Sequence, residues 1–319
     1  MWRDIWKEKR FVIGFSFVFF LLVASFVNTI WNGGKVHQVS LLFDSQRNVI
    51  GAPPFPPSWN FLLGTDRGGF DVLHMIIQGA KFTIGIALLI AALRIIISTL
   101  FGILLGLYGG KWTKSLERIF DSFNVVPLSL IAYFILANVL WMPFDGFPHP
   151  FWKRATFEVI ILTILAVPTV MFFISKDIQK LWKEEFMEAA KVLGGSKLHI
   201  LRIHILPHTM PRWLLLFMQQ FIQVLLVLIQ LGLLELFFGG TLVDYSKMNE
   251  APKSLSYEWS GIIGQQYKVL FITPWVVGGP ILFLTLTIYS VQLMMSGIEN
   301  ALKKGALKVQ EDVEEKKVG

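Results

Sequence analysis

Hydrophobic residues in this chain gather into six long runs that are separated by more polar stretches. The runs cover residues 11–31, 82–108, 124–142, 157–175, 213–238 and 271–295. Each is close to the roughly 20 residues that an α-helix needs to cross the hydrocarbon core of a bilayer. Backbone polar groups in lipid must bond within their own segment, which a helix achieves. The pattern therefore predicts an all-α integral membrane protein with six transmembrane helices.

Composition supports this class and excludes several others. Of the 319 residues, 54% are hydrophobic and only 16% are charged, which is unusual for a soluble domain. Cysteine is absent, so the chain has no disulfide, thiolate metal site or cysteine nucleophile. The sequence also lacks a phosphate-binding G-x-x-x-x-G-K-[ST] loop and the hydrolase motifs H-E-x-x-H and G-x-S-x-G. If the protein uses ATP, we expect another subunit to hydrolyse it.

The distribution of basic residues predicts the orientation of the spans. With the N-terminus in the cytoplasm, the inner segments hold 19 of the 29 Lys and Arg residues and the outer segments hold 9. This bias favours both termini in the cytoplasm. The first run is long for a signal peptide and no small-x-small cleavage site follows it, so we expect an uncleaved span. We interpret the net charge of +7 as a topology signal and expect no nucleic-acid partner.

These assignments divide the chain into four parts. They are a cytoplasmic N-tail with the first span (1–31), an extracytoplasmic segment (32–81), a five-helix core (82–295) with a cytoplasmic loop at 176–212, and a polar, frayed cytoplasmic C-tail (296–319). In the extracytoplasmic segment, the prolines of 53–57 predict extended backbone. We expect Asp66 and Asp71 to form turns and not a calcium site, and Val72 to Ile77 to begin a short interfacial helix.

The cytoplasmic segment 184–207 is charged and amphipathic, and it lies between two apolar runs. Phe186, Ala190 and Leu193 are spaced i, i+4 and i+7, which predicts one apolar helical face. Acidic residues near the start of this helix suit its dipole. Gly194 is typical of a sharp C-terminal turn.

A second short helix follows, which Ser196 can cap and which we expect Pro207 to end. The product is an elbow of two short helices on the inner face of the membrane. We call residues 184–207 the elbow. On periodicity alone, an ordinary amphipathic cytoplasmic loop would be the better interpretation.

The elbow resembles a known signature. Glu188-Ala189-Ala190, three further residues, Gly194 and a hydrophobic stretch closing on Leu206-Pro207 are similar to the E-A-A loop of importer permeases that ATP-binding cassette (ABC) subunits drive. His204 stands where the general pattern has isoleucine, as is frequent in the peptide branch.

The resemblance covers most of the chain from about residue 53 to 290. The matching segments are Leu63-Gly64-Thr65-Asp66 with Gly69-x-Asp71-Val72, Gly106-Leu107-Tyr108-Gly109-Gly110, Trp259-Ser260-Gly261 and Pro274-Trp275. They are similar to the second, "C"-type permease subunit of the dipeptide, oligopeptide and nickel importers. Residues 232–256 depart from that pattern and carry a polar insertion.

This resemblance implies a type I ABC importer permease fold in the bacterial inner membrane. The partners it implies are a homologous second permease, two ATP-binding cassette subunits that hold ATP and Mg, and an extracytoplasmic substrate-binding protein. The chain itself would be no enzyme and would hold no cofactor or metal. Its coupling residues would be Glu188, Ala189, Ala190, Gly194, Leu206 and Pro207. The implied substrates are di- or oligopeptides, with nickel chelates or another small ligand as the alternative.

Polar residues inside two spans are candidates for the translocation pathway. Gln219, Gln223 and Gln230 lie within about 40° of one another on a helix, and amides can bond peptides of varied sequence. Arg94 lies in the second span, where an arginine costs roughly 2.5–3.5 kcal/mol on insertion scales and needs a partner or a wet cavity. The alternatives are interhelical hydrogen bonds for the glutamines and a structural contact for Arg94.

Two other classes of protein fit the sequence less well. An ion-coupled secondary transporter would need ionisable residues along its spans, where Arg94 is nearly alone. A membrane-embedded enzyme would need a catalytic cluster at bilayer depth, whereas all six histidines lie outside the predicted spans.

Overall fold

The computed structural model describes residues 2–43, 49–123, 125–246 and 251–318. The helices are α1 (Trp2–Ile5), α2 (Lys9–Asn32), α3 (Val72–Tyr108), α4 (Gly110–Phe123), α5 (Leu128–Leu140), α6 (Phe151–Ile164), α7 (Val167–Leu181), α8 (Glu185–Val192), α9 (Lys197–Ile200), α10 (Leu206–Leu233), α11 (Trp259–Gln266) and α12 (Pro274–Val318). A π-helical turn (Leu201–Ile205) joins α9 to α10, and a 3₁₀ turn (Tyr267–Val269) follows α11.

The helical membrane fold predicted from the hydrophobic runs is confirmed. Within the described residues, five helical segments are long and apolar enough to cross a bilayer: Lys9–Asn32, Val72–Tyr108, Phe151–Leu181, Lys197–Leu233 and Pro274–Gly305. The sixth predicted span, 124–142, is represented by the shorter apolar helix Leu128–Leu140. A count of six spans therefore agrees with the structure if this short helix is included.

Two predicted helix ends were wrong. The expected interfacial helix at Val72 is the start of α3 itself, which continues without a break to Tyr108. Asp71 caps α3 by accepting a hydrogen bond from the His74 N–H (3.1 Å), so the span begins at this turn. At the other terminus, α12 remains helical to Val318, in contrast to the frayed tail that its polar sequence predicts.

The predicted span 157–175 is a broken helix, α6 followed by α7. Pro168 lies in the first turn of α7 and has no N–H to continue the α6 ladder. At the break, the Ala166 N–H bonds to Thr163 O (3.2 Å). Leu162 O and Val167 O instead accept hydrogen bonds from side chains of α3. Such bonds are favourable in an apolar environment, where a carbonyl has no water to bond.

One face of α3 provides those bonds and packs closely against α7. Arg94, Ser98, Gly102 and Gly106 recur every four residues and therefore share this face. Arg94 and Ser98 bond the carbonyls at the break, and the two glycines lie against Ile174 and Ile178 of α7. We call this contact the α3–α7 seam. Small residues at such a face let two membrane helices approach closely.

The buried apolar side chains form two clusters. The larger one lies among α2, α3, α5, α6, α10, α11 and α12. The smaller one lies on the side that is predicted to be cytoplasmic, and it joins α7 to the elbow and to the start of α10. The elbow therefore has a hydrophobic core of its own, attached to the seam through α7.

Two short antiparallel hairpins lie outside the helices, β1 (Leu42–Phe43) with β2 (Val49–Gly51) and β3 (Thr241–Leu242) with β4 (Lys253–Ser254). Asp66 closes a turn by accepting from the Phe70 N–H (2.8 Å), as the sequence predicts. Trp275 Nε1 donates to Thr65 O (3.1 Å) and ties this turn to α12.

We predict that Gly102→Ala destabilises the protein by about 1–3 kcal/mol, because an added methyl overpacks the seam. A Cβ at this position would lie 2.9 Å from both Met171 O and the Ile174 side chain. Gly85→Ala on the same helix is the control, since its Cβ would meet nothing within 4 Å. Thermal unfolding of both variants in detergent tests this. Equal melting temperatures would contradict close packing at the seam.

Candidate functional site

The first helix of the elbow ends as its glycines predict. The Gly195 N–H bonds to Ala190 O (3.2 Å) and the Gly194 N–H bonds to Lys191 O (3.0 Å), which is the Schellman pattern. Gly194 has φ +82°, in the left-handed region that glycine adopts without strain. This turn separates α8 from α9, so Gly194 lies at the bend of the elbow.

The second helix begins as predicted but does not end at Pro207. Ser196 Oγ accepts from the His199 N–H (3.3 Å) and caps α9. The Leu206 N–H then bonds to Leu201 O, five residues back, in the π-helical turn. Pro207 follows in the first turn of α10, where its missing N–H is tolerated. The elbow is therefore continuous with the long helix α10, and movement of one must involve the other.

A buried face fixes the elbow to α7. Met187, Ile200 and Ile205 are each almost fully buried in the smaller cluster, together with Ile178 and Leu181 of α7. Among the predicted coupling residues, Ala190 and Leu206 are partly buried against this cluster, whereas Glu188, Ala189 and Pro207 are exposed.

The apolar tip of the elbow points to solvent. Val192 and Leu193 are each 88% exposed and Leu198 is 71% exposed. Of the predicted apolar face, Ala190 packs against the cluster, whereas Phe186 and Leu193 are exposed, and the fully buried position in α8 is Met187. We call Val192, Leu193 and Leu198 the elbow tip. Exposed apolar residues grouped in this way are typical of a docking surface.

Two lysines tie the elbow to the ends of the seam helices. Lys191 Nζ donates to Trp182 O (2.8 Å), just after α7, and lies 4.7 Å from the centroid of the Trp182 ring. Lys197 Nζ donates to Leu107 O (3.3 Å) in the last turn of α3 and lies 4.6 Å from the centroid of the Tyr108 ring. Cations are favourable at helix C-termini, where carbonyls lack intrahelical partners.

The three candidate glutamines share one exposed face of α10. Gln219, Gln223 and Gln230 are all exposed in this chain, and Leu226 and Leu233 complete the same stripe. Amide groups in a membrane helix need polar partners, so this stripe must face protein or water. Its position is compatible with a pathway and with a helix interface, and the pathway role stays a prediction.

Arg94 is fully buried and bonded within the chain. Its Nε and one terminal nitrogen donate to Leu162 O (3.0 and 2.6 Å), and the other donates to Gln220 Oε1 (3.2 Å). Arg94 therefore bridges the α6–α7 break and α10, and does not line an open pathway here. This geometry matches the structural alternative. The neighbour Gln220, which the sequence did not single out, is its buried partner.

Two buried carboxylates on the side predicted to be extracytoplasmic were missed by the sequence patterns. Glu258 Oε1 accepts from the Phe238 N–H (3.0 Å), and Glu158 Oε2 accepts from the Gly239 N–H (3.0 Å). Arg154 Nε donates to Gly239 O (2.8 Å). These groups hold the loop after α10, which lies in the region that departs from the family pattern. The sequence signal, two glutamates far apart along the chain, is too weak to pair them in advance.

Burial raises the pKa of the Glu258 carboxyl above its ordinary value of 4.5, although hydrogen bonds from Ser254, Ser256 and Phe238 oppose the shift. The folded protein thus binds this proton more tightly than the unfolded chain does. The protonated Glu258 carboxyl therefore stabilises the folded protein below the ordinary pKa of 4.5. This contribution to stability declines as the pH rises toward the raised pKa of Glu258.

With this geometry in view, comparison with known proteins gives the family. Residues 98–305 match the family described as the binding-protein-dependent transport system inner membrane component. The match covers more than half of the chain, and the chain belongs to this family of ABC transporter permeases.

Named relatives extend over most of the chain. It is 26% identical over 308 residues to the "Peptide transport system permease protein SapC" of Haemophilus influenzae, covering 94% of each chain. The protein of the same name from Salmonella typhimurium is 27% identical over 270 residues, covering 81% of each chain. These relatives are named as transport permeases, in line with the prediction that the chain is a permease subunit and not an enzyme.

We predict that Arg94→Met lowers stability, because Leu162 O and Gln220 lose a buried partner at about 1–3 kcal/mol for each unsatisfied group. The exposed neighbour Gln219→Ala is the control and should keep the wild-type melting temperature. Thermal unfolding and the amount of folded protein in membranes measure the difference. A stable, well-folded Arg94→Met variant that fails only in transport would contradict the structural role.

The pH dependence of stability should also change on Glu258→Gln. As the pH rises above the ordinary carboxyl pKa of 4.5, the wild type should lose stability because Glu258 is deprotonated, and the variant should lose less. Glu299→Gln, at an exposed position of α12, is the control. Melting temperatures from about pH 5 to about pH 8 provide the measurement. Identical slopes for all three proteins would contradict the raised pKa of Glu258.

Proposed function

We propose that this chain is one of two permease subunits of an ATP-driven importer for short peptides, located in the bacterial cytoplasmic membrane. The observation that carries the proposal is the elbow, whose apolar tip is exposed while its other face is fixed to α3 and α7. Family membership supports the permease role, and the names of the SapC relatives support peptides as substrates.

The elbow is suited to transmit movement. Two ATP-binding subunits, which hold ATP and Mg, would contact its tip and move on nucleotide binding. Because Met187 and Ile200 are buried against α7, the elbow would move with that helix and not alone. Its continuity with α10 would carry the same movement to the glutamine stripe. This is a rigid-body switch between inward-open and outward-open states.

The glutamine stripe is suited to varied peptides. Each amide of Gln219, Gln223 and Gln230 can donate to a peptide carbonyl and accept from a peptide N–H. Leu226 and Leu233, on the same exposed stripe, offer apolar contact that does not select for a charged side chain. In the assembled transporter, this stripe would line a path shared with the second permease, and an extracytoplasmic receptor would deliver the peptide.

We predict that Gly194→Asp uncouples transport from ATP hydrolysis. The residue has φ +82° and a Cβ there would meet nothing within 4 Å, so the change alters the elbow turn without a clash in the core. Gly110→Asp is a matched control, because that glycine, at the start of α4, also has a positive φ (+49°) and free space. Peptide uptake and ATPase activity should be measured together in proteoliposomes. Coupled transport by Gly194→Asp would contradict the role of the elbow.

Co-purification tests the class of transporter itself. A tagged chain taken from its native membrane should carry a second permease and ATP-binding subunits, and peptide-loaded receptor should stimulate ATP hydrolysis. If receptor loaded with nickel chelates stimulates ATP hydrolysis and peptide-loaded receptor does not, the transporter is a nickel importer of the same family. A chain that purifies without any ATP-binding subunit would favour an ion-coupled transporter and overturn the proposal.

A further inference from the structure

Helix α4 links the span α3 to the short apolar helix α5, on the side of the protein predicted to be cytoplasmic. Gly110, its first residue, has φ +49°, a left-handed conformation that turns the chain and ends α3. Neither the elbow nor the glutamine stripe includes this helix, so its role is separate from the coupling and pathway roles proposed above.

One face of α4 packs against α7. Thr113 is buried on this face, and Glu117 forms an ion pair with Lys176 of α7. The ring centroids of Phe120 and Phe172 lie 5.8 Å apart. These contacts fix the rotation of α4 about its own axis, and therefore decide which of its other residues point away from the protein.

A second face of α4 is apolar and exposed. Trp112 is 77% exposed and Ile119 is 59% exposed, and Leu116 lies between them and is also exposed. Their spacing of i, i+4 and i+7 places them within about 60° of one another on the helix. We call Trp112, Leu116 and Ile119 the α4 row. Large apolar side chains grouped in this way mark a surface that a protein or a membrane covers.

The face of α4 opposite the row is charged. Lys114, Arg118 and Asp121 are exposed there, more than about 120° from the centre of the row. An apolar row opposite a charged face is typical of helices that lie in a membrane interface. Because charges of both signs share this face, the affinity for a membrane has to come from the row and not from a charge preference.

Exposed apolar residues of the neighbouring helices adjoin the row at both ends of α4. Leu104 and Tyr108 are exposed in the last turns of the span α3, and Leu130 and Phe134 are exposed on α5. Tyr108 and Trp112 lie on either side of the α3–α4 junction, and such aromatic residues are enriched at membrane–water interfaces. The row therefore continues the apolar surface that these spans present to lipid.

We propose that α4 lies on the inner leaflet of the bilayer, with the α4 row inserted among the acyl chains and the charged face in water. The partner of the row is the lipid surface and not another subunit. Through Glu117 and Phe120, α4 then connects the lipid interface to α7, the helix that carries the elbow. This inference goes beyond the proposed function and is independent of which substrate is transported.

The test measures which side of α4 faces lipid. Because the chain has no cysteine, single nitroxide labels can be placed at Leu116→Cys and Ile119→Cys in the row, with Lys114→Cys on the charged face as the matched control. The complex that co-purifies with the tagged chain is reconstituted in nanodiscs. Spin-label power saturation then gives the collision rates with oxygen, which concentrates in the bilayer, and with chromium oxalate, which stays in water.

The ratio of oxygen collisions to chromium oxalate collisions should be several-fold higher at both row positions than at Lys114→Cys. Equal ratios at the three positions would place the row in water and overturn the proposal. Low collision rates with both reagents at the row would show that another protein covers it, and would overturn the proposal as well. Two row positions are labelled separately, so the test stands if one of the variants does not assemble.

Discussion

The close contact between α3 and α7 is the constraint on which the rest of the structure depends. Around the α6–α7 break, Arg94 and Ser98 donate to Leu162 O and Val167 O, and Gly102 and Gly106 allow α7 to lie against α3. Side-chain donors of this kind are favourable in an apolar environment, where a carbonyl has no water to bond. Polar and small residues on one face thus fix both the break and the approach of the two helices.

The position of the elbow is fixed by its contacts with the two helices of the seam. Its buried residues pack on α7, while Lys191 and Lys197 bond carbonyls at the C-terminal ends of α7 and α3. Each of these contacts is modest, since exposed charge–dipole interactions contribute about 0.3–1 kcal/mol. Together with Met187 and Ile200 they attach both arms of the elbow to the same pair of helices. The tip remains free of these contacts, as a surface for a partner subunit requires.

The local features of the elbow could be predicted because they depend on neighbours in sequence. Gly194 at a Schellman turn and Ser196 at a helix start follow from spacing and side-chain chemistry. The continuation through Pro207 could not, since it depends on a π-helical turn that the cluster beneath the elbow stabilises. The spacing of Phe186, Ala190 and Leu193 did not identify Met187 as the buried residue of α8, because its burial depends on the position of α7.

Long-range polar contacts were the least predictable part. Arg94 bonds a carbonyl 68 residues away, and its intramembrane position alone fits a pathway and a structural bridge equally. Glu158 and Glu258 hold the same loop only because the chain after α10 passes between them. The six hydrophobic runs located the spans well, yet a run cannot reveal a break such as that before Pro168 or a helix start as early as Val72.

The central claim is that the elbow and the seam helices move as one body when ATP binds. Because the chain has no cysteine, spin labels can be placed at Leu104→Cys on α3 and Leu193→Cys at the elbow tip, both of which are exposed. Their distance should be measured in the assembled, active transporter, with and without trapped ATP. If they move as one body, the distance distribution should be equally narrow in both states. A shift or broadening on ATP binding would show that the elbow flexes independently of the seam helices and would contradict this claim.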